Sequence, residues 1–388
     1  MTMAADKQDK VLNVPTLRFP EFTDEWELHP TTDFFEFKNG LNPDSKRFGS
    51  GTKFISVMDI LNNRYITYDK IKAFVEPKGN DLNEFGVNYG DVLFQRSSET
   101  LEDVGRANVY LDKKTALFGG FVIRGKKIGE YNPLFFRYLL SSPHARKRIV
   151  VKGAGAQHFN IGQDGLSKIS IFVPTTKEQE RIAKLLDLID ERIETQNRII
   201  EDLKQLRSAL YYQIFSNIQG NWVTLKMVGD ITKGKQINGS ELSDEGMYYV
   251  MNGGITPSGY YNNYNTPANT ISISEGGNSC GYVQYNSVPF WSGGHCYNLR
   301  IKKGFDLQYI FHFLKFKELD IMALRIGSGL PNIQKKDLEH FHVHVPDFTT
   351  QKKVSGLFVL INKKEETEIK LMNAWRKQKK YLLQKLFI

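Results

Sequence analysis
The stretch GGITPSGYYNNYNTPANT, residues 253–270, crowds asparagine, tyrosine and serine between turn-forming glycines and prolines. Asn252 precedes it, and Ser258, Tyr260, Tyr261, Asn262 and Asn263 form its centre. An asparagine amide bonds an adenine edge at two points, and serine and tyrosine hydroxyls suit phosphates or base edges. A second stretch, NGLNPDSKRFGSGTKF at residues 39–54, offers Lys46, Arg47 and Lys53, cations of the kind that pair with phosphate. QRSSETLEDVGR, with Arg96, Ser97 and Ser98, and SEGGNSCG, with Ser274, Glu275 and Asn278, add two more polar clusters. These residues fall in matching places of an internal duplication and differ most there. As a set they are expected to contact DNA.

Candidates for catalysis do not assemble. No GxxxxGK followed by Ser or Thr occurs, which argues against nucleotide hydrolysis within the chain. Gly153 with Gly155, and Gly327 with Gly329, lack the third glycine of a dinucleotide loop and read as turns. Asn132-Pro133-Leu134-Phe135 lacks the second proline of an adenine-flipping motif and reads as a helix start. Asp347, Glu368 and Lys370 have the residue types of a restriction-type nuclease, yet the last two fall inside a helical pattern. His340, His342 and His344 alternate as on one face of an exposed strand, without the cysteines or acids of a zinc site. His295 beside Cys296 is too isolated for nucleophilic catalysis. No catalytic and no metal-binding residue is expected, and binding chemistry is what remains.

The net charge of +9 and a pI near 9.2 point toward a polyanionic partner. Much of that charge lies in the last forty residues, where Lys352, Lys353, Lys377, Lys379 and Lys380 outnumber the nearby glutamates. At 388 residues two or more cores are expected. No apolar run approaches the roughly 20 residues that cross a bilayer, and MTMAADKQDK has no signal-peptide pattern. A soluble cytoplasmic protein is expected, with Cys280 and Cys296 as free thiols.

The elements that position these groups come twice. IFVPTTKEQERIAKLLDLID at 171–190 and VHVPDFTTQKKVSGLFVLIN at 343–362 share a β-like run, a proline, a glutamine five residues on, and an apolar helical pattern. Pro174 and Pro346, Gln179 and Gln351, Leu185 and Leu357, Ile189 and Ile361 are each 172 residues apart. Gly105 matches Gly281 and Gly119-Gly120 match Gly293-Gly294 with small insertions; Trp26 aligns with Trp222 at an offset of 196. The period is too long for a solenoid, so two domains of one type stand in tandem.

Each copy has a part rich in Gly, Asn, Tyr and short β-like runs, interrupted by one helix near PLFFRYLLSS or LQYIFHFLKF. Each ends in a long helical pattern. In the first, Ile182, Leu186, Ile189, Ile193, Ile200, Leu203, Leu206 and Leu210 form an apolar stripe; in the second, Val354, Leu357, Ile361, Leu371, Met372, Trp375 and Leu382 do. Thr175, Thr176, Thr349 and Thr350 are the expected helix caps. A stripe this long needs a partner, and each helix supplies the other's if they pack antiparallel. The expected fold is α+β: a disordered 1–13, a mixed, mostly β domain at 14–175, a long helix at 176–216, a second such domain at 217–347, and a second long helix at 348–388. The helices form an antiparallel coiled coil, with pseudo-two-fold symmetry.

VPTLRFPEFTDEW, GGITPSGYYNNYN, GSGLPNI and the duplicated VPTTKEQERIAKLLDLID and VPDFTTQKKVSGLFVLIN resemble the specificity subunit of Type I restriction-modification systems, over essentially the chain from residue 14 onward. The second copy departs by having Gln351-Lys352-Lys353 where the first has Glu178-Gln179-Glu180. The resemblance implies a non-catalytic subunit whose two target recognition domains each read half of a split sequence in double-stranded DNA. It implies docking of two modification (methyltransferase) subunits and of restriction subunits. S-adenosylmethionine, ATP and Mg would sit on those partners, with no cofactor in this chain and no membrane association. On the residues alone a stand-alone DNA-modifying enzyme or a coiled-coil protein scaffold stays open.

Overall fold
A computed structural model describes residues 12–155, 157–327, 329 and 331–388. Of the segment 1–13, residues 1–11 lie outside the described residues. Asn13 is ordered, contrary to expectation: its N–H donates to Glu25 Oε2 (3.1 Å) and its carbonyl accepts from Trp26 N–H (2.8 Å). The chain forms two compact units, one built from residues up to Gln196 together with Leu371–Ile388, the other from Asn197–Lys370.

In the first unit a four-stranded antiparallel sheet runs in the order Phe35–Asn39, Val122–Lys127, Val92–Gln95, Ala107–Val109. A three-stranded sheet has Phe48–Ile55 between Phe74–Val75 and Leu117–Phe118, and a ribbon pairs Glu27–Pro30 with Ser170–Val173. The second unit repeats the plan. Its four strands are Gly229–Lys233, Cys296–Ile301, Thr270–Ser274 and Val283–Asn286; its three are Gly259–Tyr261, Tyr248–Met251 and Trp291–Ser292; its ribbon pairs Asn221–Thr224 with His342–Val345. A parallel strand pairing recurs as well, Phe54 opposite Leu117 and Val250 opposite Trp291.

Strand register corrects one alignment. Phe172 and His344 are 172 apart and lie opposite Leu28 and Trp222, so Trp222 corresponds to Leu28 and not to Trp26. The consequence is visible in burial. Trp26 is 1% exposed in a core with Phe135 and Phe387, whereas Trp222 is 60% exposed and stacks on His344 at 4.7 Å.

The proline-to-glutamine spacing has a physical cause. Gln179 is buried; its amide donates to the Pro174 carbonyl (2.9 Å) and its oxygen accepts from Asn132 N–H (2.9 Å). Gln351 does the same with Pro346 (2.9 Å) and Asp306 N–H (2.8 Å). Asn132 and Asp306 cap the interrupting helices Pro133–Ser141 and Leu307–Phe316. One glutamine thus satisfies a strand-end carbonyl and a helix-start amide that would otherwise be buried without partners.

The long helices are Thr176–Asn217, 42 residues or about 63 Å, and Phe348–Lys385. Within the first unit, Arg18 grips Glu178 while its neighbour Leu17 donates to the Lys385 carbonyl, and Asp190 pairs with Lys379. Advancing along one helix retreats along the other, so the two segments run antiparallel. Within the second unit Tyr211 and Phe215 meet Phe358, and Arg207 meets Asn362 and Glu365, again antiparallel.

The inward stripe follows spacings of four and three throughout. In the first helix it reads 182, 186, 189, 193, 196, 200, 203, 207, 210, 214, and in the second each number rises by 172, the last position, Leu386, falling just past the helix end. Ile182, Leu186, Ile189, Ile200, Val354, Ile361 and Leu382 are buried, while Ile193, Leu203, Leu210, Met372 and Trp375 are half-buried. Leu357 is not on this stripe: it is 38% exposed, and Phe358, the counterpart of Leu186, is fully buried in its stead. Leu206 and Leu371 also face outward, one residue off register. The cap of the second helix is Asp347, whose carboxylate accepts from Thr350 N–H (3.0 Å) and hydroxyl (2.6 Å), so Thr350 is the first-turn partner of the cap.

Candidate nucleic-acid interface
In the first unit Lys46 lies exposed in the short turn Ser45–Arg47 that opens the long strand Phe48–Ile55. Its neighbour Arg47 is a correction to the sequence expectation. The guanidinium is buried, donates to the Glu76 carbonyl (3.0 and 2.8 Å) and pairs with Asp81, so it anchors the strand Phe74–Val75 and is closed to an outside ligand. Lys53 is half-buried and internally held, its ammonium donating to the Ile71 carbonyl (2.6 Å) over the Phe74 ring.

Arg96, Ser97 and Ser98 form a second group, brought beside Gly120 and Asn160. Arg96 donates to the Gly120 carbonyl (3.2 Å), Ser97 hydroxyl bonds the Asn160 side chain, and Ser98 hydroxyl accepts from Thr100 N–H (3.3 Å). Sequence reasoning missed an apolar cleft of about 410 Å³ lined by Phe48, Met58 and Phe121 with Leu41 and Pro43. Phe121 is 71% exposed directly after Gly119-Gly120, which was the legible signal.

A larger cavity of about 660 Å³ is lined by Ala107 and Asn108 of the strand Ala107–Val109, with Arg106, Arg137, Arg146 and Lys147 on its walls. Burial first, and the Arg106 charge second, bring Arg146 down to about 10. Arg106 is ion-paired with Asp103 and Arg137 with Asp190, and Glu102 also faces the space.

In the second unit Ser258 precedes the edge strand Gly259–Tyr261, which carries Tyr260 and Tyr261 and is followed by exposed Asn262 and Asn263. Tyr261 packs edge-on against Trp291 (5.2 Å), and Asn252 accepts from His295 N–H (3.3 Å) beside Gly293. Asn278 is exposed. Ser274 and Glu275 depart from expectation. The strand Thr270–Ser274 is flanked on both sides, so Ser274 is buried and its hydroxyl donates to the Gly253 carbonyl (2.6 Å). Glu275 pairs with Lys233 (2.7 Å) and accepts from the Tyr297 hydroxyl (3.1 Å). Both residues hold the domain together and present no free group outward.

His340 ends the helix Lys335–His340 and does not share a strand face with His342 and His344. No group of three potential metal ligands occurs among the described residues. Cys280 and Cys296 are buried free thiols. Among the described residues no helix is long and apolar enough to cross a membrane. Glu178, at the departure between copies, is buried against Arg18 (2.7 and 2.8 Å), so its role is to tie residues 17–18 to the helix start.

The tandem plan is shared with proteins already described. A protein of Methanocaldococcus jannaschii assigned as a type I restriction enzyme specificity subunit is 23% identical over 404 residues, spanning 94% of this chain and 93% of its own. One of Mycoplasma genitalium assigned as a type I specificity subunit is 26% identical over 65% of this chain and 70% of its own. The crystal structure of a Type-I restriction-modification S subunit from M. genitalium superposes with a TM-score of 0.67 at 20% identity, over 97% of this chain and 99% of that one, and so shares the fold. The family model of the Type I restriction modification DNA specificity domain matches twice, over residues 23–205 and 220–373, which covers most of the chain. With two recognition domains of one plan, each closed by the end of a long helix, the chain belongs to the Type I restriction-modification specificity family, the DNA-recognition component of such systems and not their catalytic subunit.

Proposed function
We propose that the two units read two different half-sites of one split DNA target, and that the paired helices fix the unread gap between them. Modification subunits dock on this chain and bring S-adenosylmethionine to the target adenines, and restriction subunits bring ATP and Mg. The observation that carries the reading is the contrast between identical scaffold and dissimilar surface. Sheet order, ribbon register, the glutamine bridge and the helix stripe repeat, while the exposed loops carry Lys46 and Phe121 in one unit and Tyr260, Asn262 and Asn263 in the other. A scaffold kept constant beneath changed loops is what two readers of unlike sequence require. Joining them adds their binding free energies and demands a fixed spacing. The test is to exchange residues 217–347 for the same span of another family member and to map methylation in a host strain. One half of the methylated sequence is expected to change; a change in both halves refutes the modular reading.

A further inference from the structure
The second unit holds open a cleft at a place the first unit fills. Asn298 lies opposite Thr232 on one side and Ser272 on the other. Its counterpart in the first unit is Arg124, opposite Lys38 and Leu93. There the surface is closed, with Arg124 lying over the Phe118 ring and donating to the Gly86 carbonyl just beyond the helix Asp81–Phe85. Leu93 and Val122 join an apolar core with Ile55, Ile66 and Tyr110. In the second unit the same region carries buried Thr270, Ser272, Asn286 and Asn298 instead.

Beside these polar residues opens a cleft of about 490 Å³, walled by Asn265, Thr266 and Asn298 and rimmed by Lys233, Lys235 and Arg300. Asn298 is only 8% exposed, yet its Oδ1 has no hydrogen-bond partner among the described residues. A buried carbonyl oxygen left unpaired is unfavourable, so a donor is expected to reach it. At the rim, Lys233 is engaged by Glu275 and Asp230 by Lys302, while Lys235 and Arg300 are exposed without an ion pair among the described residues. The cleft therefore asks for a ligand with an N–H donor at its inner end and negative charge at its outer end.

We propose that this cleft is a nucleotide subsite, in which the exocyclic amino group of an adenine or cytosine donates to Asn298 while adjoining phosphate lies against Lys235 and Arg300. In duplex DNA both amino groups face the major groove, which is where a reader reaches them. The proposal rests on the reading of the second unit as a half-site reader and adds which chemical group of the half-site it takes.

The test uses the full chain assembled with its modification subunits. Lys235→Gln with Arg300→Gln alters only exposed side chains and keeps the fold. It is expected to weaken duplex binding and to lower the slope of log affinity against log salt by roughly one to two. Asn298→Leu is expected to weaken binding roughly tenfold or more and to relax the methylated sequence at one position of one half-site, leaving the other half as it was. Titration of the full chain with dAMP, dCMP and dTMP separates the sources. Saturable binding of dAMP or dCMP but not dTMP, lost in the variants while duplex binding is unchanged, makes the ligand a free nucleotide. Loss of duplex affinity places it in DNA. Parent-like slope, affinity and methylated sequence in both variants, with no nucleotide binding, overturns the proposal. The domain exchange would still succeed in that event, so failure of the cleft and failure of the half-site reading are told apart.

Discussion
His312 has no exposed surface; its Nδ1 is 2.7 Å from the Tyr211 hydroxyl and its ring packs on Phe358. Burial foremost, and the Arg207 charge next, push its pKa down from 6.5 to about 3, with Asp306 acting weakly the other way. The unfolded chain takes up a proton near pH 6.5 that the folded unit refuses, so stability is full above that pH and falls as pH drops toward 3. The whole shift corresponds to on the order of 5 kcal/mol. A His312→Gln chain is expected to start less stable at pH 7 and to lose less on going to pH 4. Thermal unfolding at the two pH values checks this, and equal losses in parent and variant would show that His312 is not the acid-sensitive group. The same scale explains why single site residues were hard to read. Arg47 and Ser274 are polar residues whose partners, Glu76 and Gly253, stand 29 and 21 residues away in the chain and are brought to them only by the fold. Nothing near them in the chain announces it.

The repeated glutamine makes its prediction at the level of elements, because it joins a strand end, a long helix and an interrupting helix at one point. Removing it by Gln351→Ala strands the Pro346 carbonyl and the Asp306 N–H in a buried place. A cost of about 2–4 kcal/mol is expected, and Gln179→Ala is expected to cost the same through Pro174 and Asn132. Denaturant unfolding checks it; a loss under about 0.5 kcal/mol, the scale of an ordinary surface change, would mean that the motif marks something other than this bridge. Spacing is local information, which is why the duplication, the two long helices and most of the stripe were legible beforehand. Where the structure departs from the apolar spacing, the offset is one residue: Leu357 and Phe358 are both apolar neighbours, and only the pairing with Tyr211 and Phe215 puts Phe358 on the stripe. The stripe also holds Arg207, Glu365, Glu368 and Lys379 among its apolar positions. Polar groups at such positions fix register by requiring their partners, as Asp190 with Lys379 and Arg207 with Glu365 do here.

For the whole molecule, the proposed spacer role of the helices sets a length prediction. An insertion in one helix alone cannot be accommodated, because Asp190 must still meet Lys379 and Arg207 must still meet Glu365. The insertion has to be made in both, after Gln196 and after Lys370, where the two compact units divide. Seven residues in each keep the alternation of three and four that holds the stripe inward, and lengthen each helix by about 10.5 Å. On length alone that is about three base pairs of duplex. On the proposed reading, methylation mapping is expected to return both half-sites unchanged with a longer gap between them, because the surfaces that touch bases lie in the loops of each unit and are not altered. A retained methylation pattern with the original gap would remove the helices from the measuring role. An altered half-site would mean that the helices take part in reading bases. A paired insertion is the sharper experiment than a single one, since it leaves every contact within each unit in place and changes one dimension only.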